Sequence, residues 1–448
     1  MSVRGIALAG ATSRLLPASI PFRFFGAAVV FHALAWIALL ADVPRLPRAA
    51  GGLGWPLAAL HLVTLGVLVM TAIGASLQLL PVATRQPVRA QGWACAVWWI
   101  YTPGVAALAL GMGLVAPWLL ALGAVAVIAA LAIYAALLAR NLHGARGMPV
   151  VVAHGWAAAG ALVVVLATAL ALVSNWLGAP LLDRSTATAL HLAFGVFGFM
   201  GLLAMGLSHI LIPLFALAPA PAGRPAQVSL IMALLALLCA AVAAFGIAPM
   251  AWRVAAIVLF AAAFALHLRA MLQALREGMR RAPSPSFRLV RVSWAMLAIG
   301  VIPALLITLG QAPAGVATPF GIPGQASAGA TTLFGLLVII GWLLTFLLGI
   351  MQRIVPFLAS MHTTRRGGRS RTPSSLTAER PLAIHFGCHL AALALLVAAI
   401  LADSPLLGAI GAATGATGAV AFACFFASVL LRMTRTTAVE SAPALRLY

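Results

Sequence analysis

Twelve apolar runs, each long enough to cross a bilayer, are parted by short gaps that collect almost every charge of this 448-residue chain. A helix needs about 20 apolar residues to traverse the hydrocarbon. Runs bounded by Arg, Pro or Gly clusters lie at 22–41, 57–80, 93–114, 117–139, 150–173, 187–215, 227–247, 250–275, 289–310, 329–357, 382–402 and 405–431. The breaks within 93–139 and 227–275 are thin, which predicts tight hairpins. Only 7% of residues are charged and mean hydropathy is +1.12, against roughly 25% charged in soluble domains. So few charges cannot cover a wetted surface. A soluble enzyme, a nucleic-acid-binding module and a disordered scaffold are excluded, and an all-α polytopic membrane protein is expected.

The net charge of +21 comes from 27 arginines and no lysine. A nucleic-acid partner would need these on one face of a soluble domain; here they sit in the gaps. With the N-terminus in the cytoplasm, 23 arginines fall on the cytoplasmic side and 4 on the other, a strong positive-inside bias. Both termini are therefore expected in the cytoplasm of a bacterial-type inner membrane, with basic loops at 276–288 and 360–381 facing anionic lipid headgroups. The six acids (Asp42, Asp183, Glu277, Glu379, Asp403, Glu440) all lie in or beside gaps. Intramembrane carboxylates are the usual proton relays, and none is expected here. The four cysteines lie in apolar segments, so no disulfide framework is expected. Residues 1–21 lack the form of a signal peptide, and the chain reads as uncleaved.

An internal repeat organises the runs. Gly74…Pro81, Gly206…Pro213 and Gly349…Pro356 share a Gly-x6-Pro pattern, and Gly66, Gly198 and Gly341 each stand fifteen residues before the proline. These belong to runs 2, 6 and 10, four apart. The twelve helices divide into three pseudo-symmetric quartets within one transmembrane domain, at about 22–139, 150–275 and 289–431. Small residues let helices approach closely, and the proline is expected to end each helix.

Ten histidines carry most of the remaining polar chemistry, and neutral imidazole is the commonest protein metal ligand. His61 and His191 fall near the start of runs 2 and 6, each with a threonine one turn away (Thr64, Thr188) as an expected supporting partner; they read as a ligand pair or as helix-capping or interhelical hydrogen-bonding histidines. His32 on run 1 is expected near this site. His209 lies five turns beyond His191, on the same face at the opposite surface; it and His154 are candidate metal-binding residues, and His267 lies near the same surface. His385, Cys388 and His389 share one helical face, a donor set that suits copper; buried polar groups bonded between helices explain it as well. His143 and His362 are read as solvated loop residues, and Trp93, Trp98, Trp99 and Tyr101 as an interfacial belt. Arg353 is read as snorkelling or as a partner for an acidic ligand.

Twelve helices in three quartets, with histidine on the second helix, resemble subunit I of the heme-copper oxidases and the NnrS-type heme- and copper-containing membrane proteins of nitrosative-stress regulons. The stretch from His61-Leu-Val-Thr-Leu-Gly66 to Gln78-Leu-Leu-Pro81 carries the local likeness. The resemblance implies heme, of b type, with His61 and His191 as axial ligands, and copper as a further option. The departures matter as much. Run 10 has no histidine where an oxidase holds its hemes, run 7 has Cys239 in place of adjacent copper-ligand histidines, and no tyrosine accompanies His191. Oxygen reduction with proton pumping is therefore not expected, and no catalytic residue is assigned. The implied role lies in nitric-oxide response or in heme, metal or electron handling, in a homo-oligomer or beside a respiratory complex. The alternatives are a twelve-helix secondary transporter or a cofactorless accessory subunit.

Overall fold

A computed structural model describes residues 16–48, 52–86, 91–221, 223–279, 284–310, 328–365 and 371–440. Residues 1–15, part of each basic loop (280–283 and 366–370) and Tyr448 lie outside the described residues. The protein is an all-α polytopic membrane protein with twelve helices long and apolar enough to cross a membrane. They are α1 (Ser19–Leu40), α2 (Trp55–Thr84), α3 (Gln91–Gly113), α4 (Pro117–His143), α5 (Pro149–Trp176), α6 (Arg184–Ala216), α7 (Arg224–Ala244), α8 (Pro249–Glu277), α9 (Pro285–Leu309), α10 (Gly329–Thr363), α11 (Glu379–Leu401) and α12 (Pro405–Thr434). Most ends fall within three or four residues of the expected ones. Proline opens α4, α5, α8, α9 and α12, where its missing N–H leaves no bond unmade.

One packing scheme recurs three times. In each group of four, the first helix packs on the second and the third on the fourth; α4 then meets α5, α8 meets α9, and α12 returns to α1. The ring is closed. Each third-to-fourth turn passes through a left-handed residue other than glycine: Val115 (φ 54°), Ala248 (φ 38°) and Asp403 (φ 46°). The helices α2, α6 and α10 are the most buried of the twelve. Their repeated glycines explain how they dock. A Cβ at Gly66 or Gly74 would come within 2.7 and 2.8 Å of Phe31 and Phe24 on α1. At Gly198 and Gly206 it would meet Ala161 and His154 on α5, at 2.8 and 2.6 Å, and at Gly341 and Gly349 it would meet Met296 and Ser286 on α9, at 2.9 and 2.8 Å. Real Cβ contacts are not that short, so only glycine permits these crossings.

The same three helices widen into π-helical turns at Leu62–Val69, Ala193–Gly201 and Leu336–Leu344, each containing the first repeated glycine. Such turns leave carbonyls unpaired in the helix and are frequent at functional sites. Two carbonyls in these segments have side-chain donors: Tyr101 donates to Leu65 O (3.1 Å) and Thr345 to Ile340 O (2.8 Å). Tyr101 is thus fully buried rather than part of an interfacial belt, although Trp93 and Trp99 are exposed as expected. The prolines also differ from expectation. Pro81 and Pro213 lie inside their helices, which end four residues later at left-handed Arg85 and Leu217, and α10 runs well past Pro356. A lipid-buried helix tolerates proline because neighbouring helices re-satisfy the freed groups.

Asp183 caps α6, accepting from the Thr186 amide (3.0 Å) and from the Ser185 hydroxyl (2.6 Å). These bonds hold its carboxyl below the ordinary carboxylate range. Its contribution is therefore present above the unfolded-state value near 3.9 and is lost as pH falls through the lower folded-state value. Hydrogen exchange in the first turn of α6 is expected to be slow at pH 6 and faster near pH 3, and Asp183→Ala is expected to remove that dependence.

Candidate histidine sites

The buried histidines gather into three groups. The first lies at the end of the bundle away from the large basic loops. His61 and His191 are half-buried and lie within electrostatic range of each other. His61 Nδ1–H donates to Leu57 O (3.0 Å). His191 Nδ1 stands 3.3 Å from Thr168 Oγ1 on α5, and the Thr168 hydroxyl donates to Val164 O (2.8 Å), so the proton of the imidazole contact is on His191. Both rings are held with Nε2 carrying the lone pair, the tautomer a metal takes. The supporting partners are Leu57 and Thr168, not Thr64 and Thr188. Those two hydroxyls donate one turn back along their own helices, to Leu60 O and Arg184 O.

Beside this pair opens an apolar cavity of about 930 Å³, walled by α2 and α6 to α10 and floored by Trp36 and Leu396. Leu57, Leu60, Ala189 and Leu192, the sequence neighbours of the two histidines, form part of its wall. No histidine, cysteine, methionine or tyrosine is among the lining residues. The cavity offers a place for an apolar body, and His61 and His191 stand at its margin.

The second group joins α1 to α11. His32 lies against His385, with ring centroids 6.3 Å apart and both rings buried, and not beside His61. His385 stacks on His389 at 5.7 Å. Trp36 donates to His32 Nε2 (3.1 Å), His385 Nδ1–H to Gly418 O (3.1 Å), and His389 Nε2–H to Thr345 Oγ1 (2.8 Å). Thr345 can only accept here, since its own proton goes to Ile340. Cys388 is half-buried and packs on α12, where its Cβ would lie 3.0 Å from a Cβ at Gly418.

The third group, near the basic-loop end, brings α5, α6 and α8 together. His209 stands between His154 (5.8 Å) and His267 (5.4 Å), all three buried. His154 Nδ1–H donates to Val150 O (2.8 Å) and His267 Nε2 meets Ser208 Oγ (3.1 Å). His191 and His209 do face one helix, α5, at Thr168 and His154, fourteen residues or about 21 Å apart.

Other polar residues settle elsewhere. Arg353 donates to Ser286 Oγ (2.8 Å) and lies over the Phe287 ring. His362 is buried against Phe22 rather than solvated, because α10 extends through it; His143 is exposed. Gln78, which stands three residues before Pro81 as Arg353 does before Pro356, is wholly buried on α2 with neither amide atom bonded. Among the described residues, no three histidine, cysteine or carboxylate side chains form a ready metal centre.

No protein-family model matches the chain, and no curated protein matches it. Among solved structures, the chain is similar to a heme-copper terminal oxidase determined as a dimer by cryo-electron microscopy, with a TM-score of 0.53 and 14% identity over 96% of this chain and 86% of that one. At that identity the likeness is one of fold: this chain has the fold of the heme-copper terminal oxidase.

Proposed function

We propose that this protein is a heme-binding membrane protein on an oxidase-like scaffold, with His61 and His191 holding the iron, and that it handles electrons rather than reducing oxygen. The observation that carries this is the matched pair of imidazoles, both Nδ1-tethered with Nε2 uncommitted, beside a large apolar cavity. The donor set fits the group: neutral imidazoles suit iron, and second-shell bonds to Leu57 and Thr168 fix their tautomers. With His61 and His191 both committed to the iron, the group would supply one-electron transfer and would not take up a gaseous ligand. For that reason electron handling is favoured here over a direct nitric-oxide sensor of the NnrS type. The fold likeness to a heme-copper terminal oxidase agrees with this reading, and that neighbour's dimeric state makes a homo-oligomer part of it. The arginine bias supports cytoplasmic termini in a bacterial-type inner membrane.

The test is a pyridine hemochrome spectrum of protein purified from heme-replete cells. One b-type heme per chain is expected. His61→Ala and His191→Ala should each shift the Soret band or lose heme, whereas His143→Ala should leave both unchanged. A colourless preparation would refute the proposal and favour a cofactorless subunit.

A further inference from the structure

The third histidine group has a feature the other two lack. Ser208 donates its only proton to Met205 O (2.7 Å), so in its contact with His267 it must accept from Nε2–H. His267 Nδ1 then carries a lone pair, and that atom is buried with no partner. On the other side of His209, the tether to Val150 fixes the His154 proton on Nδ1. His154 Nε2 is again a lone pair, buried and unpartnered. His209 Nδ1 between them is unpartnered as well. Buried polar atoms without partners are uncommon in folded proteins, and here three belong to three touching rings.

The second group differs in kind. Trp36 donates to His32 Nε2, which places the His32 proton on Nδ1; His385 Nδ1–H donates to Gly418, which leaves a lone pair on Nε2. Its two unpartnered atoms are therefore a donor and an acceptor. The two are complementary, so one water between them would serve both, and no cation is required. In the third group the two flanking atoms are both acceptors, and a neutral His209 has one proton for two of them. A cation shared by the three rings answers both acceptors at once, and a single water donating twice is the neutral alternative that metal titration distinguishes.

We infer that His154, His209 and His267 form a buried site for a single cuprous ion. Metal–nitrogen bonds of about 2.0–2.1 Å at tetrahedral angles put neighbouring ring centroids about 5 Å apart, close to the observed 5.4 and 5.8 Å. The rings do not converge on one point as they stand. To close on one ion, His154 and His267, which flank His209, must turn toward each other, and His209 has no hydrogen bond among the described residues to hold it back. The monovalent ion follows from the surroundings. The carboxylates of the described residues lie at helix ends or in turns, and nothing beside the trio would offset a second charge. Burying an uncompensated ion is expensive and rises with the square of its charge, so copper(I) is preferred to zinc(II) or copper(II). The site lies where α5, α6 and α8 meet, about 21 Å along α5 from His191, and it is independent of the heme proposal.

The experiment uses full-length protein in detergent, stripped of metal and titrated with copper(I) against bicinchoninate, with zinc(II) in parallel. One copper(I) per chain is expected, with X-ray absorption showing nitrogen scatterers near ~2.0 Å and no sulfur. His267→Gln retains a donor to Ser208, and His154→Asn a donor towards Val150; each should weaken copper binding by roughly tenfold or more. His61→Ala and His385→Ala should leave it unchanged, so a failed heme proposal and a failed copper proposal remain distinguishable. No copper(I) bound against the competitor, sulfur in the coordination shell, tighter zinc than copper, or full retention by both trio variants would each overturn the inference. The X-ray absorption result on unaltered protein stands whether or not the variants fold.

Discussion

A leucine at Gly206 is expected to leave no folded protein, while a leucine at Gly160 should be tolerated. The two glycines lie on adjacent helices and differ only in what surrounds them. A Cβ at Gly206 would sit 2.6 Å from the Cβ of His154, whereas a Cβ at Gly160 meets nothing within 4 Å. The clash is with the root of a side chain on a neighbouring helix, which cannot swing aside, so α5 and α6 must separate. Even alanine at Gly206 should cost about 1–3 kcal/mol, the usual penalty for overpacking, and larger residues more. Size-exclusion profiles and thermal melts of the two leucine variants in detergent give the answer. Equal profiles would show that the repeated glycines do not set the helix spacing. Gly206→Ala has a second expected effect, because displacing His154 should also weaken copper(I) binding.

Thr345→Val is the second large effect. The substitution keeps shape and removes one hydroxyl that serves two buried groups, the Ile340 carbonyl and His389 Nε2–H. An unpartnered buried polar group costs about 1–3 kcal/mol; losing both partners is a large share of a typical stability of about 5–15 kcal/mol. A fall in melting temperature is expected, with Thr345→Ser recovering most of it. Thr414→Val, where an exposed hydroxyl only donates back along its own helix, should change little. A Thr345→Val protein that melts with the wild type would mean that water replaces the hydroxyl.

Helix number and position were legible because bilayer thickness writes itself into the length of each apolar run. The glycines of α2, α6 and α10 were legible as a spacing, since docking twice on one neighbour demands glycine at a fixed interval. Chemistry was harder to read. A threonine one turn from a histidine, as Thr64 and Thr188 are, has a nearer acceptor in its own helix, and spacing cannot reveal which bond it makes. The π-helical turns have no residue signature, so neither Tyr101 as a donor to Leu65 nor Thr345 as a donor to Ile340 could be foreseen. In the sequence His267 is one of several histidines near one surface. Its pairing with His209 depends on how α8 packs against α6, which no local pattern encodes.

The closure of α12 onto α1 has a consequence for biogenesis. His32 and Phe22 on α1 find their neighbours in His385, Phe422 and Phe426, and Trp36 packs at Gly415, residues made almost a full chain length later. A ribosome delivers α1 first, and until α11 and α12 emerge that helix faces lipid with a histidine and one flank of its final surroundings missing. Contacts so distant in sequence form slowly. The last two helices thus act as a latch, and a chain arrested before α11 presents an open flank to whatever insertion factor or protease surveys unfinished membrane proteins.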